Sequence, residues 1–435
     1  MKRVIINLVY NVEALSIKKN DILSIGEKIK RLRAYKGIKL KDISNEKLSI
    51  SKINSIENNK INPDKNSLEI LADKLGTTYE YLSKDIVTQI RENILLLNED
   101  KSLNVLEDYK YNLYFAFKYN LSNLIFDICH NIFKRFVFEC SFINNKWDFL
   151  DIIPIYFECI EKIGDINKNV IYYLDLAIYF LKIREYNLSS YYFKFLRVNC
   201  WEYREVDEFK EFILINEIRC YINLRKYNKI YNFKDKIEFY MENSKEYIYR
   251  KEFKYANVLL TIKYSFKDFN KGFVLESFKD FSIEDKINYI YKICNVLYEL
   301  GYVKEQFLIC RELYSILKKN SKILSFTKTC KIFNYISGVY IKNSILDKSR
   351  EIIQKNLELC VNIEDPEILC ESYFNKVILS LRENDFDKAN MYINLTLFFL
   401  NKLKGKNLKE KFLNVGFIFY KLENIYKAIE SFNNI

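Results

Sequence analysis

The stretch LSISKINSIENNKINP, from Leu48 to Pro63, sets isoleucines among short polar side chains and two lysines. Ile53 and Ile56 recur at the spacing of one helical face, which predicts a short helix that buries both of them. Ser49 stands at the N-cap position, where a hydroxyl accepts a hydrogen bond from the first turn. The other side chains of this helix are mostly short and polar, and they are left on its outer face.

Four more short helices are predicted around this one, so that five helices fill about sixty residues. The first, IGEKIKRLRAYKG, repeats apolar residues at three- and four-residue spacing and ends at Gly37, a favoured residue after a helix C-terminus. A second, LKDISNEKLS, precedes the central helix, and SLEILADKLG and TYEYLSKD follow it. Asn59 comes directly after the central helix, and asparagine is the residue that best tolerates a left-handed turn after glycine.

Together these helices resemble a lambda-repressor-type (XRE) helix-turn-helix domain over residues 25–84. The matching positions are Gly26, Glu27, Ile29, Leu32, Arg33, Ile43, Ser44, Ser49, Ile53, Ile56, Glu57, Asn58, Pro63, Leu71, Ala72, Leu75 and Gly76. The resemblance implies that the central helix enters the major groove of double-stranded DNA. Residues 1–85 carry +6 of the formal net charge of +12, which suits a nucleic-acid-binding head. The residues predicted to bind DNA are Ser49, Ile50, Ser51, Lys52, Asn54, Ser55, Asn58 and Lys60.

The composition favours helices throughout, because Gly 9 and Pro 3 in 435 residues leave hairpins and tight loops without their usual residues. The predicted fold class is all-α. No apolar run approaches the roughly 18 residues of a membrane span, and the ten cysteines form no CxxC pair. We therefore expect no membrane partner, a cytoplasmic location and buried free thiols. Residues 1–24 begin like a signal peptide, but Asn7 interrupts the apolar run, so we predict a cytoplasmic N-terminal extension or a misassigned start.

Beyond residue 84 the sequence falls into pairs of amphipathic helices. After a linker helix predicted over residues 85–102, joints such as LKIREYN, LRENDFDKA and KLENIYKA recur. Their apolar residues are Tyr186, Tyr227, Tyr302, Ile345, Phe386 and Ile425. The intervals are 41, 75, 43, 41 and 39 residues, and the longest spans one degenerate unit around Phe269. This period predicts a solenoid of helix pairs over residues 103–435. The last units resemble tetratricopeptide repeats, which implies a right-handed α-solenoid.

A polar register recurs on the first helices of these pairs, eleven residues before five of the six joint residues. First helices line the concave face of such a solenoid, so these side chains would form a ladder that bonds the backbone of an extended peptide. The members of the register are Asp175, Asn216, Asn334, Asn375 and Asn414. Arg219, on nearly the same face as Asn216, would bind a peptide carboxylate or an acidic side chain. Capping between helices is the alternative role for the asparagines.

Nothing in the sequence indicates an enzyme. The chain has no Gly-rich phosphate loop, HExxH motif or GxSxG motif. His130, the only histidine, stands on an aromatic-rich helix, where a packing or surface role is expected. We expect no catalytic residue, no cofactor and no metal.

An XRE-type head joined to a long, degenerate tetratricopeptide-like body resembles the RRNPP group of Gram-positive peptide-pheromone receptors. The resemblance implies a homodimeric transcription regulator that acts in quorum sensing. It would bind an inverted-repeat operator and be controlled by a short signalling peptide in the groove of its repeats. Two alternatives stay open at this point. The repeats could bind a partner protein such as a response regulator, or the protein could be a peptide-independent repressor of a mobile element.

Overall fold

A computed structural model describes residues 21–99, 105–139, 150–320, 323–360, 365–403 and 408–434 of the protein. Within these stretches the regular secondary structure is helical, and the one β feature is an isolated bridge between Asn45 and Leu48. The all-α prediction is confirmed for these stretches. None of their helices has both the length and the apolar run of a membrane-spanning segment. Residues 1–20 of the predicted N-terminal extension lie outside the described residues.

The described residues form two compact units that divide between Lys226 and Tyr227. The helices of the first unit are α1 (Ile25–Tyr35), α2 (Leu40–Ile43), α3 (Ile50–Glu57), α4 (Lys65–Lys74), α5 (Tyr79–Ser83), α6 (Ile86–Glu99), α7 (Leu106–Lys118), α8 (Ser122–Ile132), α9 (Ile152–Ile163), α10 (Ile166–Lys182), α11 (Tyr186–Asn199) and α12 (Lys210–Asn223). A π-helical segment, Phe133–Glu139, follows α8 directly. The domain boundaries predicted after residues 24, 84 and 102 stay predictions.

The helices of the second unit are α13 (Tyr227–Tyr231), α14 (Lys234–Asn243), α15 (Tyr247–Tyr264), α16 (Lys271–Ser277), α17 (Ile283–Glu299), α18 (Val303–Lys319), α19 (Phe326–Lys342), α20 (Leu346–Cys360), α21 (Pro366–Arg382), α22 (Phe386–Leu400), α23 (Leu408–Lys421) and α24 (Ile425–Asn433). Each first helix packs against the second helix that follows it in the pairs α17/α18, α19/α20, α21/α22 and α23/α24. First helices also pack on each other, as α19 does on α21.

Helices α1–α5 pack around one apolar core, and all five predicted helices of this region are present. Side chains cap their starts: Ser24 caps α1 in a capping box with Glu27, Ser49 caps α3, Asp64 caps α4 and Thr78 caps α5. The buried core residues are Ile29, Ile43, Leu48, Ile53, Ile56, Leu68, Leu71, Ala72, Leu75 and Leu82. Because all five helices contribute to this core, its burial holds the outer face of α3 in a defined orientation.

Helices α1 and α3 approach each other most closely at Gly26. A Cβ atom on Gly26 would lie 2.2 Å from the carbonyl oxygen of Ile56 and 2.9 Å from that of Glu57, and backbone atoms cannot turn aside. The Gly26 N–H donates to the side-chain oxygen of Asn59 at 3.2 Å. Asn59 has a φ of 54°, so the left-handed turn predicted there is confirmed. Glycine is therefore required at the crossing of α1 and α3.

Lys28 is buried in this five-helix region, with 2% of its surface exposed. Its Nζ donates to the carbonyl oxygens of Tyr81 and Lys84 at 2.8 and 2.6 Å. These carbonyls lie at the end of α5, where backbone acceptors have no partner within the helix. Burial, followed by the charge of Lys84, lowers the pKa of Lys28 from 10.5 to about 8.

We expect this buried amine to make stability depend on pH. Between pH values of about 8 and 10.5, Lys28 is protonated in a larger fraction of unfolded chains than of folded chains. The contribution of Lys28 to stability therefore rises with pH in this range. Below a pH of about 8, Lys28 is protonated in both states and its contribution is constant. The free energy of unfolding of the wild type should rise relative to Lys28→Met by at most about 1.4 kcal/mol per pH unit. Urea denaturation on both sides of pH 8 measures this difference, and a difference without pH dependence would contradict the lowered pKa.

The rest of the first unit is built from paired helices around an aromatic-rich core. Helix α7 packs on α8, α8 on α9, and α10 on α11. Tyr109, Phe133, Tyr156 and Tyr179 are fully buried, and the rings of Phe133 and Tyr179 meet edge to face at 5.7 Å. Across both units the prediction of buried free thiols is confirmed for the nine described cysteines.

Six joints between consecutive helices share one backbone geometry. At each joint one residue adopts a left-handed φ between 56° and 80°, and the N–H of the next residue bonds the carbonyl five positions back. This is the Schellman motif. The left-handed residues are Arg184, Arg225, Gly301, Ser344, Asn384 and Glu423. Only one is glycine, so the others adopt this conformation at a cost of about 1 kcal/mol or more each. The second helices begin at the predicted joint residues or one residue later, which confirms the six joints.

The repeat around Phe269 departs from its neighbours, as the long interval in the sequence predicted. Its second helix, α16, has 7 residues, whereas α18 has 17 and α20 and α22 have 15 each. A 3-10 turn, Phe266–Asp268, separates α15 from α16.

Candidate functional site

The outer surface of α3 is the candidate site of the first unit. Ile53 and Ile56 are buried, which confirms the predicted inward face of the helix. Ser49 caps α3 by accepting the Lys52 backbone N–H at 3.2 Å. We use the name α3 surface for the exposed members of the predicted DNA-binding set on and beside α3, which are Ser49, Ile50, Ser51, Asn54, Asn58 and Lys60. Ser55 is half-buried. Six of the eight residues predicted to bind DNA are therefore exposed on one side of α3 and the turn that follows it.

Two amides of the α3 surface are tied together. The Asn58 side-chain nitrogen donates to the backbone oxygen of Asn54 at 2.8 Å and to its side-chain oxygen at 3.1 Å. This pairing limits the rotation of both side chains. An amide whose orientation is set before binding loses less conformational entropy when it bonds a base edge.

Lys52 lies differently from the other residues predicted to bind DNA. Its Nζ donates to Asp64 Oδ2 at 3.0 Å and to the Ser67 hydroxyl at 2.8 Å, so the side chain bridges α3 to the start of α4. The Ser67 backbone N–H, and after it Lys52, lower the pKa of the Asp64 carboxyl to about 2. The ammonium group is therefore held by an ionised carboxylate within the protein.

A buried ion pair fixes the end of α3 to α1. Arg33 Nε and Nη2 donate to the two carboxylate oxygens of Glu57 at 2.6 and 2.9 Å, and Arg33 Nη1 donates to the Ile38 carbonyl at 3.2 Å. The Glu57 side chain is 3% exposed. Its hydrogen bond to the guanidinium raises the pKa of Arg33. The sequence marked both residues through the family resemblance but did not predict that they pair.

The polar register of the second unit begins with a residue that lies within the protein. Asn334 on α19 is buried, and its side-chain oxygen accepts from Asn356 at 2.7 Å and from the Ser372 hydroxyl at 2.9 Å. Its side-chain nitrogen donates to the Ile368 carbonyl at 3.1 Å. The amide therefore joins α19, α20 and α21. The sequence predicted an amide that is free on a concave face. In the structure the Asn334 side chain faces the next helix pair and is bonded there.

Asn375 and Asn414 are more accessible members of the same register. Asn375 is half-buried, and its nitrogen donates to the Asn334 carbonyl at 2.8 Å and to the Ser337 hydroxyl at 3.0 Å. Asn414, on the last first helix, is exposed. Exposure thus increases along the register from Asn334 to Asn414. Whether these side chains bind a peptide stays a prediction.

In the first unit, the register residue Asn216 bonds groups of its own helix, α12. The buried Asn216 donates to the Phe212 carbonyl at 2.8 Å and accepts from Arg219 Nη1 at 3.0 Å. Arg219 lies beside Asn216, as the sequence predicted, but its guanidinium bonds that amide. The peptide-binding roles proposed for both residues stay predictions.

Asp175 belongs to a buried network that sequence reasoning missed. Its Oδ2 is 2.9 Å from His130 Nδ1 and accepts the Tyr156 hydroxyl at 2.9 Å. Burial raises the pKa of Asp175, and the contact with His130 opposes this effect. The network joins α8, α9 and α10, so the packing role expected for His130 is confirmed. A lone histidine and an aspartate 45 residues apart offer no local signal that they meet.

A row of ion pairs connects successive first helices of the second unit, and the sequence did not reveal it. Lys251 on α15 pairs with Asp285 on α17 at 2.8 Å, and Lys328 on α19 pairs with Glu284 on α17 at 3.2 Å. Further along the row, the pairs are Lys331 with Glu367 at 3.5 Å, Lys411 with Glu367 at 3.5 Å and Lys411 with Glu371 at 3.4 Å. These partners are 34 to 44 residues apart, close to the repeat period. Charge on this part of the first helices is therefore largely neutralised within the protein.

Comparison with known proteins gives weak structural likenesses. No family model and no curated protein matches the chain. Seventeen chains of solved structures match it. One is a Rap protein complexed with Competence and Sporulation Factor, with 14% identity over 80% of this chain and 90% of the other and a TM-score of 0.39. Another is PlcR of Bacillus thuringiensis in complex with the peptide PapR7 and DNA, with 12% identity over 87% and 97% and a TM-score of 0.25. Because both TM-scores are below 0.5, neither likeness supports a conclusion about function.

Proposed function

We propose that this protein is a sequence-specific DNA-binding transcription regulator controlled by a short signalling peptide. The observation that carries the proposal is the α3 surface, where short polar side chains are exposed and the isoleucines of the same helix are buried. In this proposal residues 25–84 are the DNA-binding domain, residues 85–102 the linker helix and residues 103–435 the peptide-binding and dimerisation domain. The protein acts as a cytoplasmic homodimer on an inverted-repeat operator.

The α3 surface has the chemistry that reading a major groove requires. Ser51 and Asn54 are short enough for the backbone of α3 to approach base edges, and an amide can bond adenine through both its donor and its acceptor. Lys60 follows the helix as an exposed cation suited to a phosphate. Lys52 forms an exposed ion pair with Asp64, so we assign it the positioning of α3 against α4 in the free protein and, once that pair opens on DNA, the contact predicted from the sequence.

For the peptide half of the proposal, Asn375 and Asn414 are the favoured contacts. They are the members of the polar register that are not fully buried, and an amide can bond a peptide backbone through its donor and its acceptor. Asn334 would support this surface from within, because its side chain bonds α20 and α21. Asp175 and Asn216 belong to the first unit, and their peptide-binding roles stay predictions. Peptide binding then changes the curvature of the repeats and so the distance between the two DNA-binding domains of the dimer. This distance must match two half-sites that lie about one turn of the DNA helix apart.

The test is retention of sheared genomic DNA from the source organism by the purified full-length protein at near-physiological salt, followed by sequencing of the retained fragments. We expect a few sites that contain an inverted repeat. Short reading frames beside those sites then supply candidate peptides for titration. Retention of fragments without sequence preference, both with and without these peptides, would contradict the proposal.

Two substitutions separate base reading from phosphate contact. Asn54→Ala should cost about 1–3 kcal/mol of binding free energy and relax base preference at one position of each half-site. Lys60→Ala should weaken binding to all sequences alike and reduce the slope of log affinity against log salt by about 1. Binding to a library of operator variants at several salt concentrations measures both effects. Unchanged base preference in Asn54→Ala would remove this residue from the proposed contacts.

Peptide binding is tested at the exposed end of the register. Asn414→Ala should weaken binding of the active peptide by about tenfold, since it removes a donor and an acceptor for a peptide backbone. Titration of labelled peptide by fluorescence anisotropy measures this change. Asn401→Ala, at another position in the second unit and outside the register, is the matched control. Equal affinity of the two variants would exclude Asn414 from the peptide site.

A further inference from the structure

A cavity of about 790 Å³ lies beside the degenerate repeat of the second unit. Its walls come from α14, α15 and α16 and the turns between them. The cavity lies beside α16, which has 7 residues, whereas the second helix α20 has 15. Its volume falls within the range of about 300–1,000 Å³ found for small-molecule sites.

Two cations line the cavity on one face of α15, one helical turn apart. Arg250 Nη2 donates to the Ser244 carbonyl at 3.0 Å, while its Nε is buried and has no acceptor among the described residues. No carboxylate of the described residues pairs with Arg250 in the structure. Lys254 Nζ lies 3.5 Å from Asp280, whose side chain is 64% exposed, so water screens that pair. The lining has three cations, counting Lys279, and two carboxylates, and Arg250 is the lining cation that pairs with no carboxylate of the described residues.

The rest of the lining combines apolar and polar groups. Phe273 and Met241 are apolar and half-buried, and Asn257 extends the face of Arg250 and Lys254 by another turn. The lining carboxylates, Glu242 and Glu276, belong to exposed residues. Glu276 is paired with Lys279, which also lines the cavity, at 2.5 Å.

We propose that this cavity binds a carboxylate that carries an apolar group. The carboxylate lies at Arg250 and Lys254, where a guanidinium and an ammonium supply charge-assisted donors. The apolar group packs against Phe273. The C-terminal residue of a short peptide and a free aromatic acid share this chemistry. In the first case the cavity is part of peptide control, and the inference then rests on the proposed function.

The test uses the full-length protein and two probes that differ only in charge, N-acetylphenylalanine and its C-terminal amide. Isothermal titration should show saturable binding of the acid, with the amide weaker by about tenfold or more. Equal binding of acid and amide, or binding of neither, would overturn the proposal.

Substitutions place the binding in this cavity. A Cβ on Gly272 would meet only the Asn270 side-chain oxygen, at 3.1 Å, so Gly272→Leu can fill the cavity without a backbone clash and should abolish binding of the acid. Arg250→Met should weaken it by about tenfold. Lys304→Met removes an exposed cation outside the cavity and should leave it unchanged. Undiminished binding by Gly272→Leu or Arg250→Met, in protein with wild-type circular dichroism, would also overturn the proposal.

A second pair of probes separates the two sources of the carboxylate. Tighter binding of Ala-Ala-Ala-Phe than of 3-phenylpropionate assigns the cavity to a peptide end, and the reverse order assigns it to a free acid. Either order supports the cavity as a carboxylate site. DNA retention is measured separately on protein without probe, so failure of the proposed DNA function and failure of this inference give different results.

Discussion

Arg33→Met is expected to lower the free energy of unfolding of the five-helix region by about 3–5 kcal/mol. The substitution keeps the apolar stem of the side chain but removes both donors from the Glu57 carboxylate, whose side chain is 3% exposed. Glu57 then remains as a buried charge without its partner, or must take up a proton. The connection between α1 and the end of α3 is lost with it, so we expect DNA binding by the α3 surface to fall as well.

Hydrogen exchange of the full-length protein, read on peptides from α1 and α3, measures this effect, because local opening appears there even when the repeats stay folded. Arg31→Met is the matched control, since Arg31 pairs on the surface with Asp21 at 3.0 Å and should contribute about 1 kcal/mol or less. The double variant Arg33→Met with Glu57→Leu should recover part of the loss, because it removes the stranded charge. Wild-type exchange rates in Arg33→Met would contradict the role assigned to the pair.

Asn334→Ala is expected to destabilise the second unit by about 1–3 kcal/mol. The Asn334 amide accepts from Asn356 and Ser372 and donates to the Ile368 carbonyl, and all of these groups are away from water. The substitution also removes a hydrogen bond from Asn356, whose side-chain oxygen already has no hydrogen-bond partner among the described residues. Removing the amide leaves polar atoms of α20 and α21 with fewer partners.

Urea denaturation followed by circular dichroism measures this loss, and Asn414→Ala is its control. Asn414 has the same place in its own repeat but is exposed, so its substitution should change the free energy of unfolding by less than about 0.5 kcal/mol. The two variants therefore separate a structural amide from one that is available to a ligand. Equal stability of both variants would mean that the buried network around Asn334 contributes little.

Local patterns predicted much of the helical architecture. Ile53 and Ile56 mark the buried face of α3 by their spacing, and the interval of about 40 residues located six joints whose backbones prove alike. The scarcity of glycine pointed to helices but not to the form of these joints. Residues such as Arg184 and Glu423 adopt left-handed conformations there because packing of the flanking helices outweighs a local preference.

The candidate site was predictable in its position and less so in its bonding. The exposed members of the α3 surface follow from helical periodicity alone, as does the register that contains Asn334 and Asn414. The bonding of Lys52 to Asp64, and of Asp175 to His130, did not follow, because each pair is brought together by the packing of separate helices. A polar residue at a regular interval can face a groove or the next repeat, and the spacing is the same in both cases.

The sequence by itself determined the all-α class of the described residues, the position of the joints and the inward face of α3, since these depend on contacts within a few turns of chain. Only the tertiary structure decided which polar groups are already bonded, as in the pair of Arg33 with Glu57, and that a cavity lies beside Arg250. The physical reason is that periodicity sets which face of a helix is buried. The group that lies opposite that face is set by how distant helices pack.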